Sequence, residues 1–270
     1  TSLFLVGGIS AYYIWRGRHT AFFLRSFKLA LVMAVVVTPL QALLGDTSGV
    51  HIGKYQPAKV AAIESHWETN KPGEGAAWNM IAWPDPEGER NIFEIRVPYV
   101  LSLLITHDPT GTVPGLKDFP KDQRPPIVIP FYTFRAMVGI GFAMVGVMLV
   151  TLWAWRKGWL TPERAPREKL LLGVWLAMAP MGYVATEMGW VTREVGRQPW
   201  VIYGWLRTQD GASILPAQAV WGTLGMYTVV YTLLPLAAAW FYWLIISKGP
   251  DLTLAPPGMA PSANSGKQGG

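Results

Sequence analysis

The chain has 270 residues, of which 51% are hydrophobic and only 15% are charged, and it contains 14 tryptophans. This composition is too apolar and too aromatic for an ordinary soluble domain. Cysteine is absent, which excludes disulfides, thiolate metal sites and cysteine nucleophiles. The net charge of +6 does not indicate nucleic-acid binding, because the basic residues lie beside apolar segments and not in one stripe.

Several apolar segments approach the length of about 20 residues that a helix needs to cross a bilayer. They predict transmembrane helices at residues 1–15, about 21–44, about 128–155, about 169–192 and about 217–247. We therefore predict an all-α fold, a polytopic transmembrane helix bundle with a large external loop at 45–127. A Pro/Gly/Ser-rich composition predicts that residues 249–270 form a disordered tail.

The first predicted span differs from the others. It begins at Thr1 without a methionine and is followed by Arg16 and Arg18, whereas a signal peptide carries its positive charge in front. The expectation is that the chain is a piece of a longer protein, cut inside a helix.

The distribution of basic residues predicts the orientation in the membrane. Short connections rich in lysine and arginine follow the first and third spans, and Lys248 follows the last. Such connections remain in the cytoplasm, so the tail is predicted to be cytoplasmic and residues 45–127 to lie outside.

The external segment is too long for a plain connector. Turn signals occur at 71–75 and 83–88, good helix formers at 59–67 and β-favouring residues at 91–99. A partly folded, mobile loop with one short helix is expected. Within it, Lys59 and Glu64 are either two solvated surface charges or a pair that converges on one small ligand.

The fourth span carries charge where it leaves the membrane. On a helix, Glu187, Trp190, Glu194 and Arg197 would share one face. Glu194 and Arg197 could form an interfacial salt bridge in water. Glu187 lies deeper, where ionisable groups mark functional paths, so iron ligation, a proton relay or haem propionate binding stay open.

Two residues of the third span are further candidates. Met137 is either a packing residue or a thioether ligand of haem iron, and Arg135 needs a partner for its charge. The four histidines show no metal-ligand spacing, and there is no phosphate-binding glycine loop.

The sequence also contains, in this order, GDTSG at 45–49, KVAAIE at 59–64 with WET at 67–69, FRAM at 134–137, and GW at 189–190 with GRQPW at 196–200. Together these motifs resemble subunit I of the cytochrome bd-type quinol oxidases, in the short-loop form, over nearly the whole chain to about residue 248. The resemblance implies a haem-bearing membrane enzyme that oxidises quinol at the outer face and reduces O2 to water. It implies that Lys59 and Glu64 bind and oxidise quinol, and that Met137 ligates a low-spin haem b with Arg135 beside it.

The resemblance further implies that Glu194 ligates the iron of a high-spin haem b, with Arg197 and Trp190 lining the same region. Two b-type haems and a third haem, of d or b type, are expected in the complete subunit. Expected partners are the N-terminal half of the subunit, which this chain lacks, subunit II, a small accessory subunit and the lipid of a bacterial inner membrane. Two alternatives remain: a non-catalytic haem- or quinone-binding membrane protein, and an ion transporter using Glu187 and Glu194.

Overall fold

A computed structural model describes residues 1–250, so nearly all of the tail predicted at 249–270 lies outside the described residues. The chain forms two compact units, residues 1–212 and residues from 213 onward. The elements of the first unit, in chain order, are α1 (Ser2–Trp15), α2 (Thr20–Tyr55), α3 (Pro57–Ile63), β1 (Trp78–Asp85), β2 (Arg90–Val97), α4 (Val100–Thr106), α5 (Val128–Arg156), α6 (Lys169–Met178), α7 (Met181–Val195), β3 (Trp200–Ile202) and β4 (Leu206–Arg207). The described element of the second unit is α8 (Ala217–Lys248).

Four helical stretches of the described chain are long and apolar enough to cross a membrane: α2, α5, α6 with α7, and α8. They confirm the predicted class of an α-helical membrane protein, and they coincide with four of the five segments predicted as spans. The fifth, α1, is an apolar helix of 14 residues, which is shorter than the roughly 20 that a crossing needs.

Two helix boundaries differ from the prediction. Helix α2 does not end near residue 44 but continues to Tyr55, where its last turns pack against α4. Gly53 permits this contact, because a Cβ there would lie 2.5 Å from Cγ2 of Ile105. The fourth span is divided into α6 and α7 at Pro180, which has no N–H to donate and whose ring obstructs a continuous helix.

The transmembrane part of the first unit is packed around Trp175 of α6. This fully buried ring stacks on Phe4 at a centroid distance of 4.7 Å, and its Nε1 donates to Oγ1 of Thr151 at 2.8 Å. Gly7 of α1 lies directly against the ring, since a Cβ there would be 2.4 Å from Trp175 Cζ3. These contacts fix α1, α5 and α6 together.

The loop at 45–127 contains more secondary structure than expected. The helix predicted near 59–67 and the strand predicted near 91–99 are present as α3 and β2, but the expectation of one short helix is wrong, because α4 is a second. Strands β1 and β2 form an antiparallel hairpin. A buried cluster of Ala61, Ala62, Trp67, Leu116 and Ile127 joins α3 to the start of α5.

Candidate functional site

A cavity of about 1150 Å³ opens within the first unit, between the loop and the helices α2, α4, α5 and α7. Its volume is slightly above the range of about 300–1,000 Å³ that is usual for small-molecule pockets, so a small organic ligand would fit. The lining is mainly apolar, with Lys59 and Glu64 of the loop and Met137 of α5. Asp46 and His51 also line the cavity, and they belong to the C-terminal end of α2 and not to the loop predicted at 45–127.

Glu64 lies at the C-terminal end of α3 and is 4% exposed, so the interpretation as a solvated surface charge is wrong. Its Oε2 accepts a hydrogen bond from Nη2 of Arg135 at 2.5 Å, and the side chain of Trp78 donates a further hydrogen bond to the carboxylate. Burial raises the pKa of Glu64 above its ordinary value, while Arg135 and Trp78 oppose that rise.

The hydrogen-bond partners of Arg135 lie in the loop at 45–127. Its Nε and Nη2 donate to the backbone carbonyl of Asn79 at 2.9 and 2.6 Å. Its guanidinium carbon lies 4.8 Å from the ring centre of Phe131 and 5.0 Å from that of Trp78, both within cation–π range. The remaining nitrogen, Nη1, is buried and has no hydrogen-bond partner among the described residues.

Lys59 connects the loop to the C-terminal end of α7. It is 7% exposed, and its Nζ donates to the backbone carbonyl of Arg193 at 3.1 Å. Burial lowers the pKa of Lys59 first, and the charges of Arg193 and Arg197 lower it further. Lys59 and Glu64 therefore both face one cavity, although they are not stacked along the helix.

Met137 faces the same cavity from α5, directly against α7. A Cβ at Gly189 would lie 2.8 Å from Sδ of Met137, so the absence of a side chain at Gly189 makes room for the thioether. This close approach explains why a glycine interrupts an otherwise good helical sequence.

The other predicted residues lie along α7 and just beyond its end, and they do not line the cavity. Glu194 Oε2 accepts a hydrogen bond from Nη2 of Arg197, which forms the predicted ion pair, with both side chains partly exposed. Trp190 is 61% exposed and Glu187 is also exposed, with no ion pair to Glu187 in residues 1–250. The cavity thus joins Lys59, Glu64 and Met137, and Arg135 is bound to Glu64. Glu194 and Arg197 lie outside the cavity lining, although their charges act on Lys59.

The partners of Glu64 were missed from sequence. Trp78 and Asn79 belong to no recognised motif, and the loop sequence offered only a general β-strand signal nearby. The signal that could have indicated them is the charge of Arg135 near the N-terminal end of a membrane helix, because that charge requires hydrogen-bond acceptors in the adjacent loop.

Comparison with known proteins gives a family match over all of the described residues. The family model described as cytochrome bd terminal oxidase subunit I matches residues 1–250. The chain belongs to this family. Together with the four long apolar helices, the match identifies a bacterial membrane protein.

Individual relatives agree with the family assignment. The chain is 31% identical over 261 residues to the cytochrome bd ubiquinol oxidase subunit 1 of Bacillus subtilis, covering 93% of this chain and 54% of the relative. It is 27% identical over 316 residues to the cytochrome bd-II ubiquinol oxidase subunit 1 of Escherichia coli, covering 93% and 60%. The bd oxidase structure from Geobacillus thermodenitrificans superposes with a TM-score of 0.77 at 31% identity, over 92% of this chain and 55% of that one. The chain thus spans about half the length of the curated relatives it matches.

Haem cofactors are expected for the cytochrome bd family, and the residues present fit one. Residues 1–250 contain no cluster of three or more His, Asp or Glu side chains that could hold a metal ion. A haem iron does not need such a cluster, because the porphyrin supplies most of its ligands. The Met137 thioether faces a large apolar cavity, and the unpartnered Nη1 of Arg135 is a buried donor available to a carboxylate.

Proposed function

We propose that this chain forms the quinol-oxidising part of subunit I of a membrane quinol:oxygen oxidoreductase. The observation that carries the proposal is one cavity lined by a buried lysine, a methionine thioether and the buried Glu64, which is paired with Arg135, in a chain of this family. The complete enzyme would couple the oxidation of quinol to the reduction of O2 to water.

Glu64 is the proposed proton acceptor. Oxidation of a quinol releases two electrons and two protons, so the site needs a base at a quinol hydroxyl. Burial raises the pKa of Glu64 above its ordinary value, and a carboxylate with a raised pKa is a stronger base. Arg135 and Trp78 oppose this rise because they bind the ionised form directly.

Lys59 is the proposed quinol-orienting donor. Its ammonium group has three N–H donors and uses one of them on the carbonyl of Arg193, which leaves others for a quinol oxygen. Residues 45–127 would then be the quinol-binding loop.

Two haem positions are proposed on this chain. Met137 would ligate the iron of a low-spin haem b beside the cavity, with Arg135 Nη1 donating to a haem carboxylate. Glu194 would ligate the iron of a high-spin haem b, with Arg197 and Trp190 lining that position. When bound, haem supplies one-electron acceptors and, at the oxygen site, the centre that reduces O2.

The exposed face of α7 supports the second position. Glu187 and Trp190 are exposed on a helix that is apolar enough to cross a membrane, and a carboxylate facing lipid is costly. This face is therefore proposed to be covered by haem and by the N-terminal half of the subunit. That half would supply the remaining haem ligands, the third haem of d or b type and the proton path.

The remaining proposals concern location and partners. The protein is proposed to lie in a bacterial inner membrane. The basic connections after α1 and α5 support a cytoplasmic position for those ends and an outer position for the quinol loop. Protons from Glu64 would then be released outside. Subunit II and a small accessory subunit are the proposed protein partners, and quinol and O2 the substrates.

The test uses the complete subunit in its complex, in membranes. Its reduced-minus-oxidised spectrum should contain b-type haem bands, and the complex should consume O2 when given quinol. Glu64→Gln should abolish most of the quinol turnover without changing the haem bands, because it removes the base but preserves the shape. Glu68→Gln is the matched control, since that carboxylate is 74% exposed and pairs with Lys117 away from the cavity. Normal turnover in Glu64→Gln, or a complex without haem bands, would refute the proposal.

A further inference from the structure

Trp78, the first residue of β1, joins three parts of the site. Its ring lines the cavity, its side chain donates a hydrogen bond to Glu64, and the guanidinium of Arg135 lies over its ring. No sequence motif contains it. It is therefore in contact with the proposed base, with the partner of that base, and with the space that a substrate would enter.

Asn79, the residue after Trp78 on β1, holds the strand against the backbone of Glu64. The side-chain amide of Asn79 donates to the backbone carbonyls of Glu64 and Ser65, both at 3.0 Å. The backbone carbonyl of Asn79 accepts two hydrogen bonds from Arg135. The start of β1 is consequently tied to the backbone of the acid and to its counter-charge at the same time.

Strand β2 also contacts the backbone next to Glu64, at Ser65. Asn91 of β2 also donates to the carbonyl of Ser65, at 3.1 Å, and its Oδ1 accepts from the Ser65 hydroxyl at 2.6 Å. Ser65 has a φ of 51°, a left-handed conformation that a non-glycine residue adopts only where the surroundings hold it. The hairpin thus determines where the chain places both Glu64 and the indole N–H that reaches it.

We propose that Trp78 is a positioning residue for quinol oxidation: its indole N–H holds the Glu64 carboxylate in place at the cavity wall. This role rests on the proposed function, in which Glu64 is the base. The indole can donate to the carboxylate but cannot accept from a protonated acid, so the contact favours the ionised form of Glu64. Without it, Glu64 should ionise only at higher pH.

The test compares Trp78→Phe with the wild type in the complete complex, with a short-chain quinol as substrate. Phenylalanine keeps an aromatic ring against the cavity and under Arg135 but removes the N–H donor. The acid limb of the kcat profile should move up by about 1 pH unit, the size expected for losing one hydrogen bond to a charged group. KM and the haem bands should stay close to wild type, and the rate should recover at higher pH.

The matched control is Trp83→Phe on the same strand, since Trp83 is 64% exposed and does not line the cavity. It should leave the pH profile unchanged. The infrared carboxyl band that disappears in Glu64→Gln should titrate at higher pH in Trp78→Phe than in wild type or Trp83→Phe.

The outcomes separate the two proposals. If Glu64→Gln retains turnover, the proposed function fails. If Glu64→Gln is inactive while Trp78→Phe has the wild-type pH profile, only the role of Trp78 fails. The role of Trp78 would also be overturned if Trp78→Phe, but not Trp83→Phe, lost rate uniformly at every pH or lost the haem bands. Either result would mean that Trp78 only supports the structure.

Discussion

Removing the guanidinium of Arg135 should destabilise the loop much more than removing both members of its ion pair. Arg135 and Glu64 have side chains that are only 13 and 5% exposed, and their contact is 2.5 Å long. Breaking such a buried pair from one side costs about 3–5 kcal/mol, whereas replacing both members with apolar residues is often nearly neutral. Arg135→Leu also leaves the carbonyl of Asn79 without its two donors.

A double-mutant cycle tests this by comparing the stability of the loop in Arg135→Leu, Glu64→Leu and the double variant, each in the complete complex. The expected coupling free energy is about 3 kcal/mol, which corresponds to more than 100-fold in an exchange rate. Hydrogen exchange should be followed at the amides of Leu116 and Lys117, which donate to the carbonyls of His66 and Trp67 and report on loop opening. Protonation of Glu64 removes the unpaired charge, so the loss of loop stability in Arg135→Leu should become smaller as the pH falls.

The surface pair Lys71–Glu74, with side chains 82 and 61% exposed, provides the control. The same cycle there should leave these exchange rates unchanged, as expected for a solvated pair. If the loss of loop stability in the double variant equals the sum of the losses in Arg135→Leu and Glu64→Leu, the two residues are not coupled, and the account of the buried pair is wrong.

Other parts of the site give further predictions. Met137→Leu should remove the low-spin b-haem bands while preserving the helix, and a spectrum that keeps them would exclude the thioether as a ligand. Gly189→Ala should disturb the same bands because its Cβ would meet Sδ of Met137 at 2.8 Å, whereas Gly139→Ala, which has open space around it, should not. Burial lowers the pKa of His66, so loop stability should fall as the pH drops below about 6.5, where the unfolded chain takes up a proton that the folded loop does not. That pH dependence, measured by hydrogen exchange, should disappear in His66→Gln and persist in His51→Gln.

Membrane-spanning helices were the part of the fold most open to prediction, because their signal is local. A run of apolar residues such as 136–155 must be helical in a bilayer, where every backbone polar group needs an internal partner. The end of α2 was predicted too early because the apolar run stops near residue 44, before the stretch that contains Gly45, Gly49 and Gly53. In the structure they continue the helix, and the contact of Gly53 with Ile105, a residue far along the chain, could not be read from local sequence.

The same distinction applies to the site. The family motifs contain Glu64 and Arg135, but the residues that determine how Glu64 behaves are separated from it in sequence, and Arg135 itself lies 71 positions away. A carboxylate at that position is a base of useful strength only where burial, a counter-charge and a donor are in balance. The hairpin of β1 and β2 supplies two of these three conditions, since Asn79 fixes the counter-charge and Trp78 provides the donor. A change in the hairpin alone should therefore alter the pH at which quinol is oxidised in a protein whose motifs are all intact.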